Sequence, residues 1–205
     1  MIPETSLEQD ELPERSRRLF FAIDPPAELT RKMENLVSKF DTPPNFVRWV
    51  RAGNMHITLK FLGEVDETAI PSIVDAARRA VTPFSAMKLV IEGLGVFPNH
   101  EQPQVVWFGI KGDTEPLRQM ERALSSSLTA LGFPPEDRPF VGHLTIGRVK
   151  NATARGKIAR LVRQYHRFYI GDMVAGEVAL YESRLTMDGA VYMKLESFPL
   201  TGETI

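Results

Sequence analysis

The chain contains an internal duplication. A shift of 87 residues (143 − 56) places residues 56–59 (HITL) over residues 143–146 (HLTI) without a gap. The same shift places residues 19–23 (LFFAI) over residues 106–110 (VWFGI). Two such repeats usually bury their apolar faces against each other and arrange equivalent residues around a pseudo-twofold axis. We therefore expect two similar halves, with a cleft between them as the natural site.

Both halves alternate apolar runs with segments of helical periodicity. The pattern predicts strands at 19–23, 56–62, 87–96, 105–110, 143–149, 168–181 and 190–200, and helices near 29–40, 70–77, 117–131 and 158–162. We expect Pro43-Pro44 to end the first helix, the strand at 87–96 to close the first half, and the last two strands to pair across a turn around Asp188-Gly189. The expected fold is α+β, with two pseudo-symmetric lobes of mainly antiparallel sheet, helices on the outside and an active-site cleft between the lobes.

Composition limits the class of protein. With 205 residues the chain can bury a full core, and with no cysteine it can form no disulfide, thiolate nucleophile or cysteine-ligated metal site. No apolar stretch is long enough to cross a bilayer, so we expect a soluble protein without a membrane partner, located in the reducing cytoplasm. Residues 1–16 carry five acidic residues and no apolar h-region, which predicts a disordered acidic tail before a domain at 17–205.

Charge is distributed unevenly along the chain. Residues 138–171 contain no aspartate or glutamate, and they hold Arg138, Arg148, Lys150, Arg155, Lys157, Arg160, Arg163 and Arg167. Such a segment would create a local positive potential suited to a polyphosphate chain. A solvated basic helix is an equally good interpretation of charge alone.

Polar and apolar residues alternate around both repeated histidines. Because residues two apart in a strand share a face, His56 and Thr58 should point into the cleft, as should His143 and Thr145. One neutral imidazole can remove a proton from water while a second, protonated imidazole donates a proton to a leaving oxygen. The threonine hydroxyls can stabilise charge on phosphate oxygens. One such motif is usually structural, but two at matched positions favour a catalytic pair.

These residues carry a resemblance to a known family. The paired HITL and HLTI motifs resemble the His-x-Thr-x motifs of the two-histidine (2H) phosphoesterases, and the chain from Arg18 to about Leu200 is similar to the bacterial and archaeal RNA 2′,3′-cyclic phosphodiesterases, also called 2′-5′ RNA ligase-like proteins. Further segments share the likeness: RLFFAID at 18–24, RWV at 48–50, KFLGEV at 60–65, GVFP at 95–98, LGF at 131–133 and ESRL at 182–185.

The resemblance implies an activity and roles for individual residues. It implies hydrolysis of an RNA 2′,3′-cyclic phosphate to a 2′-phosphomonoester without metal or cofactor, with His56 as proton donor and His143 as proton acceptor. It also implies that Phe61 stacks on a base and that Arg148 contacts phosphate. Both lie five residues beyond a histidine, so they face the cleft only if each strand twists, bulges or ends there. The family usually has proline before the second histidine, where this chain has Gly142.

Three other interpretations remain open. A metal hydrolase is disfavoured because neither histidine lies in a metal-ligand spacing, and we expect His100 and His166 to be solvated. A non-catalytic RNA-binding or RNA-end-binding protein could use the basic segment. Reversible 2′-5′ joining of RNA ends would use the same residues as hydrolysis. The expected partner is RNA with a 2′,3′-cyclic phosphate end or a similar nucleotide, bound by a monomer.

Overall fold

A computed structural model describes residues 15–40, 42–43, 45–187 and 189–202. The strands are β1 (Ser16–Ile23), β2 (Val47–Trp49), β3 (Ile57–Asp66), β4 (Met87–Phe97), β5 (Val105–Gly112), β6 (His143–Val149), β7 (Tyr169–Ala175), β8 (Glu177–Thr186) and β9 (Gly189–Pro199). The α-helices are α1 (Ala27–Val37), α2 (Ile70–Val81), α3 (Thr114–Thr129) and α4 (Arg155–Tyr165). Within the described residues, none of the helices is long and apolar enough to span a membrane.

The described strands form one nine-stranded antiparallel sheet in the order β7-β4-β5-β6-β3-β1-β8-β9, with β2 beside β6. The order has internal symmetry, because β6, β5, β4 and β7 on one side match β3, β1, β8 and β9 on the other. We call β3-β1-β8-β9 the first lobe and β6-β5-β4-β7 the second lobe. The prediction of an α+β fold with two pseudo-symmetric lobes is confirmed.

Each lobe contains a strand contributed by the other half of the chain. The predicted strand at 87–96 does not close the first half, because β4 pairs with β5 and β7 in the second lobe. The single strand predicted at 168–181 is also wrong. It consists of β7, which pairs with β4, and β8, which pairs with β1 in the first lobe. Buried apolar residues continue on both sides of Gly176, so the local pattern gives no sign that the chain changes lobe there.

Two further predictions concern the ends of helices and strands. The first helix ends at Val37 rather than at the prolines, although Phe40 beyond it is still buried. Pro44 and Asp188 lie outside the described residues, and β8 and β9 pair up to Thr186 and Gly189 on either side of Asp188. The predicted tail at 1–16 also lies outside them, except for Arg15 and for Ser16, which begins β1.

The helices cover one face of the sheet and leave the other for the cleft. Their apolar residues recur three and four positions apart and pack on the sheet in one core, with Leu29 and Met33 in α1 and Leu117, Met120 and Leu124 in α3 among its members. The opposite face of the first lobe carries a separate small cluster, formed by Phe20, Ala22, Ala179 and Tyr181 with Tyr192 packed against it.

We expect the contact between the lobes to depend on Leu144, which is fully buried and pairs with Ile57 across β3 and β6. Leu144→Ala should lower the free energy of unfolding by about 2–5 kcal/mol through lost burial and a residual cavity. Leu185, also in a strand but 79% exposed, is the matched control, and Leu185→Ala should change stability by less than about 0.5 kcal/mol. Urea denaturation measures both, and equal losses would contradict a core role for Leu144.

Candidate active site

The two repeated histidines lie where the lobes meet. His143 is the first residue of β6, and His56 directly precedes β3 rather than lying within it. The residues that follow them, Ile57 and Leu144, are paired. Each imidazole is therefore attached one residue from the Ile57–Leu144 pair, which is the junction of the two lobes. A positive charge on His143 lowers the pKa of His56.

The ring of His56 lies among aromatic side chains of the first lobe. It stacks on Phe20 with 4.8 Å between ring centroids, and the edge of Tyr192 approaches it at 5.2 Å. Phe20 also stacks on Tyr181. The small aromatic cluster on the cleft face therefore supports one side of the imidazole.

His143 has equivalent neighbours in the second lobe. Phe97 approaches its ring edge-on at 4.9 Å, and Trp107 lies at 6.1 Å. Trp107 occupies the position of Phe20 in the duplication (107 − 20 = 87). An aromatic residue on the neighbouring strand thus packs near the repeated histidine in both halves.

Backbone carbonyl groups hold both imidazoles in matched ways. The Nδ1 of His143 lies 2.7 Å from the carbonyl oxygen of Val141. A carbonyl only accepts hydrogen bonds, so Nδ1 carries the proton and Nε2 is free to accept one. His56 hydrogen-bonds the backbone of Asn54, the equivalent of Val141 (141 − 54 = 87). The bond to Val141 fixes the ring of His143 even though Gly142 replaces the usual proline.

Burial makes both histidines weaker bases than free imidazole. It lowers the pKa of His56 from 6.5 to about 4, even though the carboxylate of Asp24 raises it. Burial also lowers the pKa of His143. Both rings are therefore mainly neutral in the ligand-free protein at pH 7.

Among the described residues, a carboxylate influences the first of the two histidines but not the second. The hydroxyl of Tyr181 donates a hydrogen bond to Asp24, and the ammonium of Lys194 lies 3.4 Å from the same carboxylate. Burial and the bond to Asp24 raise the pKa of Tyr181, so it keeps its proton. The position equivalent to Asp24 in the second repeat is Lys111 (111 − 24 = 87), and no carboxylate contributes to the pKa shift of His143.

A β-bulge at Leu59 turns Phe61 toward the cleft. The ladder between β1 and β3 pairs Phe20 with Phe61 and Ala22 with Thr58, so β3 holds one additional residue between these pairs. An additional residue reverses the alternation of faces beyond it. Phe61 consequently stacks on Phe20 at 5.4 Å and is 44% exposed, which excludes a place in the core.

The second repeat has the same bulge at Ile146 (146 − 59 = 87). The ladder between β5 and β6 pairs Trp107 with Thr145 and then omits Ile146. The reversal brings Arg148, the equivalent of Phe61, to the cleft face, where its charge acts on the hydroxyl of Tyr192. The structure therefore brings Phe61 and Arg148 together with the two histidines.

The two threonines lie on the cleft face and are half-buried. Neither Thr58 nor Thr145 makes a side-chain hydrogen bond to another described residue. Both hydroxyls can therefore donate to a ligand placed between the imidazoles.

Sequence reasoning missed several cleft residues. Arg18 holds its guanidinium 5.8 Å from the centre of the Phe61 ring, and its charge, like that of Arg148, lowers the pKa of Tyr192 against the effect of burial. Phe20 could have been found, because the duplication already aligns it with Trp107. Tyr192 and Tyr181 could not, because they reach the cleft through pairing of β8 with β1 and β9.

The remaining two histidines are not part of the pair. His100 and His166 are exposed, as expected, and His166 bonds through Nδ1 to the carbonyl oxygen of Arg163. Among the described residues, no three histidine, cysteine or acidic side chains come together as a metal site would require.

Comparison with known proteins identifies similar chains. The family model described as LigT-like phosphoesterase matches residues 23–107 and again residues 110–192, so that the two matches also begin 87 residues apart (110 − 23). The RNA 2′,3′-cyclic phosphodiesterase of Methanothermobacter thermautotrophicus is 34% identical over 89% of this chain and 98% of its own. That of Archaeoglobus fulgidus is 35% identical over 88% and 99%.

Solved structures agree with this relationship. The crystal structure of E. coli LigT complexed with 3′-AMP superimposes with a TM-score of 0.77 at 29% identity, covering 91% of this chain and 99% of that one. The structure of TT0787 from Thermus thermophilus superimposes with a TM-score of 0.76 at 27% identity, over 91% and 100% of the two chains.

We expect the pKa of His56 to depend on its aromatic surroundings. Tyr192→Ala would open one side of the ring to water, so the pKa should rise from about 4 toward 6.5. Tyr192→Phe keeps the ring and should leave the pKa near its original value. Titration of the imidazole proton signals by NMR measures the change, with His143 as an internal reference. An unchanged pKa in Tyr192→Ala would contradict burial by Tyr192 as its cause.

Proposed function

The chain belongs to the LigT-like phosphoesterase family, and on that premise we propose that it hydrolyses the 2′,3′-cyclic phosphate at the end of an RNA to a 2′-phosphomonoester. The observation that carries this proposal is the matched pair of imidazoles, one from each repeat, held one residue from the same junction. The relatives named RNA 2′,3′-cyclic phosphodiesterase, which align with nearly their full length, support the substrate.

In the proposed reaction the two histidines move one proton each. The free Nε2 of His143 accepts a proton from water, and the oxygen of that water attacks phosphorus in line with the departing 3′ oxygen. The bond between phosphorus and the 3′ oxygen breaks, and protonated His56 donates its proton to that oxygen. The net change is addition of one water, which leaves the phosphate on the 2′ oxygen.

Neighbouring side chains would bind the phosphate and the base. The hydroxyls of Thr58 and Thr145 and the guanidinium of Arg148 can donate hydrogen bonds to non-bridging oxygens, where negative charge is redistributed in the transition state. Phe61 presents its exposed ring to the terminal base. This chemistry needs no metal ion, because protonated imidazole supplies the acid.

The environment of the two histidines supports His56 as the donor. A donor must carry a proton when substrate is bound, and only His56 has a carboxylate, Asp24, that favours its charged form. The anionic cyclic phosphate would act in the same direction, since a negative charge beside a buried imidazole raises its pKa. Substrate would thus help to protonate the acid that it requires.

Both histidines belong to one chain, which supports function as a monomer. The absence of cysteine is compatible with a reducing cytoplasm, where RNA fragments are found. We place the enzyme there as part of the same proposal.

Substitution of each histidine tests the reaction. His56→Ala and His143→Ala should each lower kcat/KM by about 10²–10⁴-fold, because each removes one proton transfer. The assay measures turnover of RNA with a 2′,3′-cyclic phosphate end and identifies the product phosphate by its position. Arg79→Ala is the control, since Arg79 is exposed and lies in α2, which packs on the other face of the sheet.

Two results would contradict this proposal. Unchanged turnover in both histidine variants would exclude the pair, and loss of activity with a strong chelator would support a metal hydrolase instead. RNA binding without turnover by the native protein would favour a non-catalytic RNA-end-binding role. Formation of a 2′-5′ bond from two RNA ends would show the reverse reaction at the same residues.

The pH profile of Asp24→Asn tests which histidine is the donor. Loss of the carboxylate should lower the pKa of His56. Above both histidine pKa values, kcat/KM is proportional to the fraction of enzyme with the donor protonated. If His56 is the donor, kcat/KM at alkaline pH should fall about tenfold for each unit by which that pKa falls, while the acidic limb stays unchanged.

The opposite assignment of donor and acceptor predicts a change in the acidic limb of the pH profile instead. If His56 were the acceptor, the lower pKa would raise kcat/KM on the acidic side and leave the alkaline side unchanged. The substitution keeps the size of the side chain, and thermal unfolding of the variant checks that the fold is retained. Wild-type kcat/KM should be greatest below pH 6.5, because burial lowers the pKa of both histidines.

A further inference from the structure

A second pocket adjoins the catalytic pair in the second lobe. It has a volume of about 620 Å³ and lies between β4 and the end of α4, with Leu94, Gly95 and Val96 on one side and Val162 on the other. Its remaining lining residues are Trp107, His100, Arg163 and His166. None of these four has a role in the proposed reaction.

The wall between this pocket and the catalytic pair is aromatic. The indole of Trp107 lines the pocket and also lies 6.1 Å from the ring of His143, and Phe97 contacts both rings. The ring of Trp107 lies directly against Gly95, where a Cβ atom would approach it to 2.2 Å. Glycine at this position therefore allows the indole to lie flat on the strand and separate the two spaces.

The rim of the pocket is basic. Arg163, His166 and the adjacent Arg167 are exposed, and within the described residues neither arginine forms a salt bridge. Two acidic residues lie nearby in sequence, the half-buried Glu92 and the exposed Glu101. The helix that supplies Arg163 belongs to the segment at 138–171 that has no acidic residue, so positive charge predominates on this side.

An exposed aromatic residue directly follows the basic residues of the rim in the chain. Phe168 is 45% exposed and packs edge-on against Tyr165 at 5.5 Å. Exposed aromatic rings beside arginine are typical of surfaces that bind single-stranded RNA, because bases stack on the rings while cations contact the phosphates.

The first lobe has only part of this chemistry at the equivalent place. Ala76 in α2 matches Arg163 in α4, and Arg79 matches His166 (163 − 76 = 87; 166 − 79 = 87). Ala76 is buried and uncharged, so α2 presents a cation only at the second of these positions, through the exposed Arg79. A cation at the position of Arg163 is therefore specific to the second lobe and not a consequence of the duplication.

We propose that this pocket binds the RNA chain beyond its cyclic end, with the neighbouring nucleotide inside it and a backbone phosphate on Arg163 and His166. The inference rests on the proposed function and deepens it, because it makes an RNA strand rather than a mononucleotide the preferred substrate. The chemistry of the pocket matches a nucleotide: a base fits the apolar and aromatic interior, and the negatively charged phosphodiester fits the basic rim. Trp107 separates this nucleotide from the reacting phosphate.

The test compares two substrates with the same terminal nucleoside. One is a short RNA oligonucleotide ending in a 2′,3′-cyclic phosphate, and the other is the nucleoside 2′,3′-cyclic phosphate alone. In the double variant Arg163→Gln/His166→Gln, kcat/KM should fall about tenfold for the oligonucleotide, while the value for the mononucleotide should stay within about twofold. The logarithmic salt dependence of oligonucleotide binding should become shallower by about 1 for each phosphate that the variant no longer neutralises.

Arg79→Gln is the matched control, because Arg79 is the exposed equivalent of His166 in the first lobe. It should leave the ratio of the two kcat/KM values unchanged, and thermal unfolding verifies that all variants are folded. An unchanged ratio in the double variant overturns the proposal, and so does an equal loss for both substrates.

A binding measurement separates this proposal from the proposed reaction. Fluorescence anisotropy with the product oligonucleotide, which ends in a 2′-phosphate, requires no turnover. If the wild-type protein hydrolyses neither substrate but binds this RNA about tenfold more tightly than the double variant does, the reaction is wrong and the pocket assignment holds. Equal binding by both proteins overturns the pocket assignment.

Discussion

Ile57 and Leu144 pair where β3 meets β6, and the position of the two histidines follows from that contact. Each is the residue after a histidine, so the contact brings two imidazoles from distant parts of the chain to one place. The helices pack on the other face of the sheet, and the apolar side chains of both strands bury into that core. Alternation then leaves the histidines and threonines on the open face. The proximity of the two histidines is thus a consequence of burial on the opposite side.

Matched bulges extend the cleft beyond these four residues. At Leu59 and Ile146 one additional residue reverses which face the strand presents, so Phe61 and Arg148 reach the cleft instead of the core. The geometry is repeated but the chemistry is not, because one lobe presents an aromatic ring and the other a cation. Asp24 and Lys111 differ in the same manner. The duplication therefore supplies equal positions, and the residues placed there make the two sides of the site unequal.

The sequence allowed the fold class, most elements and the meeting of the two histidines to be predicted, because these depend on local periodicity and on the 87-residue repeat. It did not reveal the bulges, since register is decided by pairing with a strand that is distant in sequence. For the same reason the division of residues 168–181 between two lobes was missed. The aromatic enclosure of His56 by Tyr192 depends on a strand from the far end of the chain, so the low pKa of that histidine was also beyond sequence reasoning.

The crossing of β4 and β8 between lobes has a consequence for how such a chain could have arisen. In a half-length chain, the last strand could remain unpaired within its own sheet. Two copies could then exchange their last strands and form a closed, strand-swapped homodimer with twofold symmetry. Fusion of two copies would give the inner strand order β4-β5-β6-β3-β1-β8, to which β7 and β9 add one edge strand each. In the dimer both histidines would have been identical and unable to specialise. Only after fusion could mutation act on one copy alone, giving Asp24 to one histidine and the basic helix α4 to the other side.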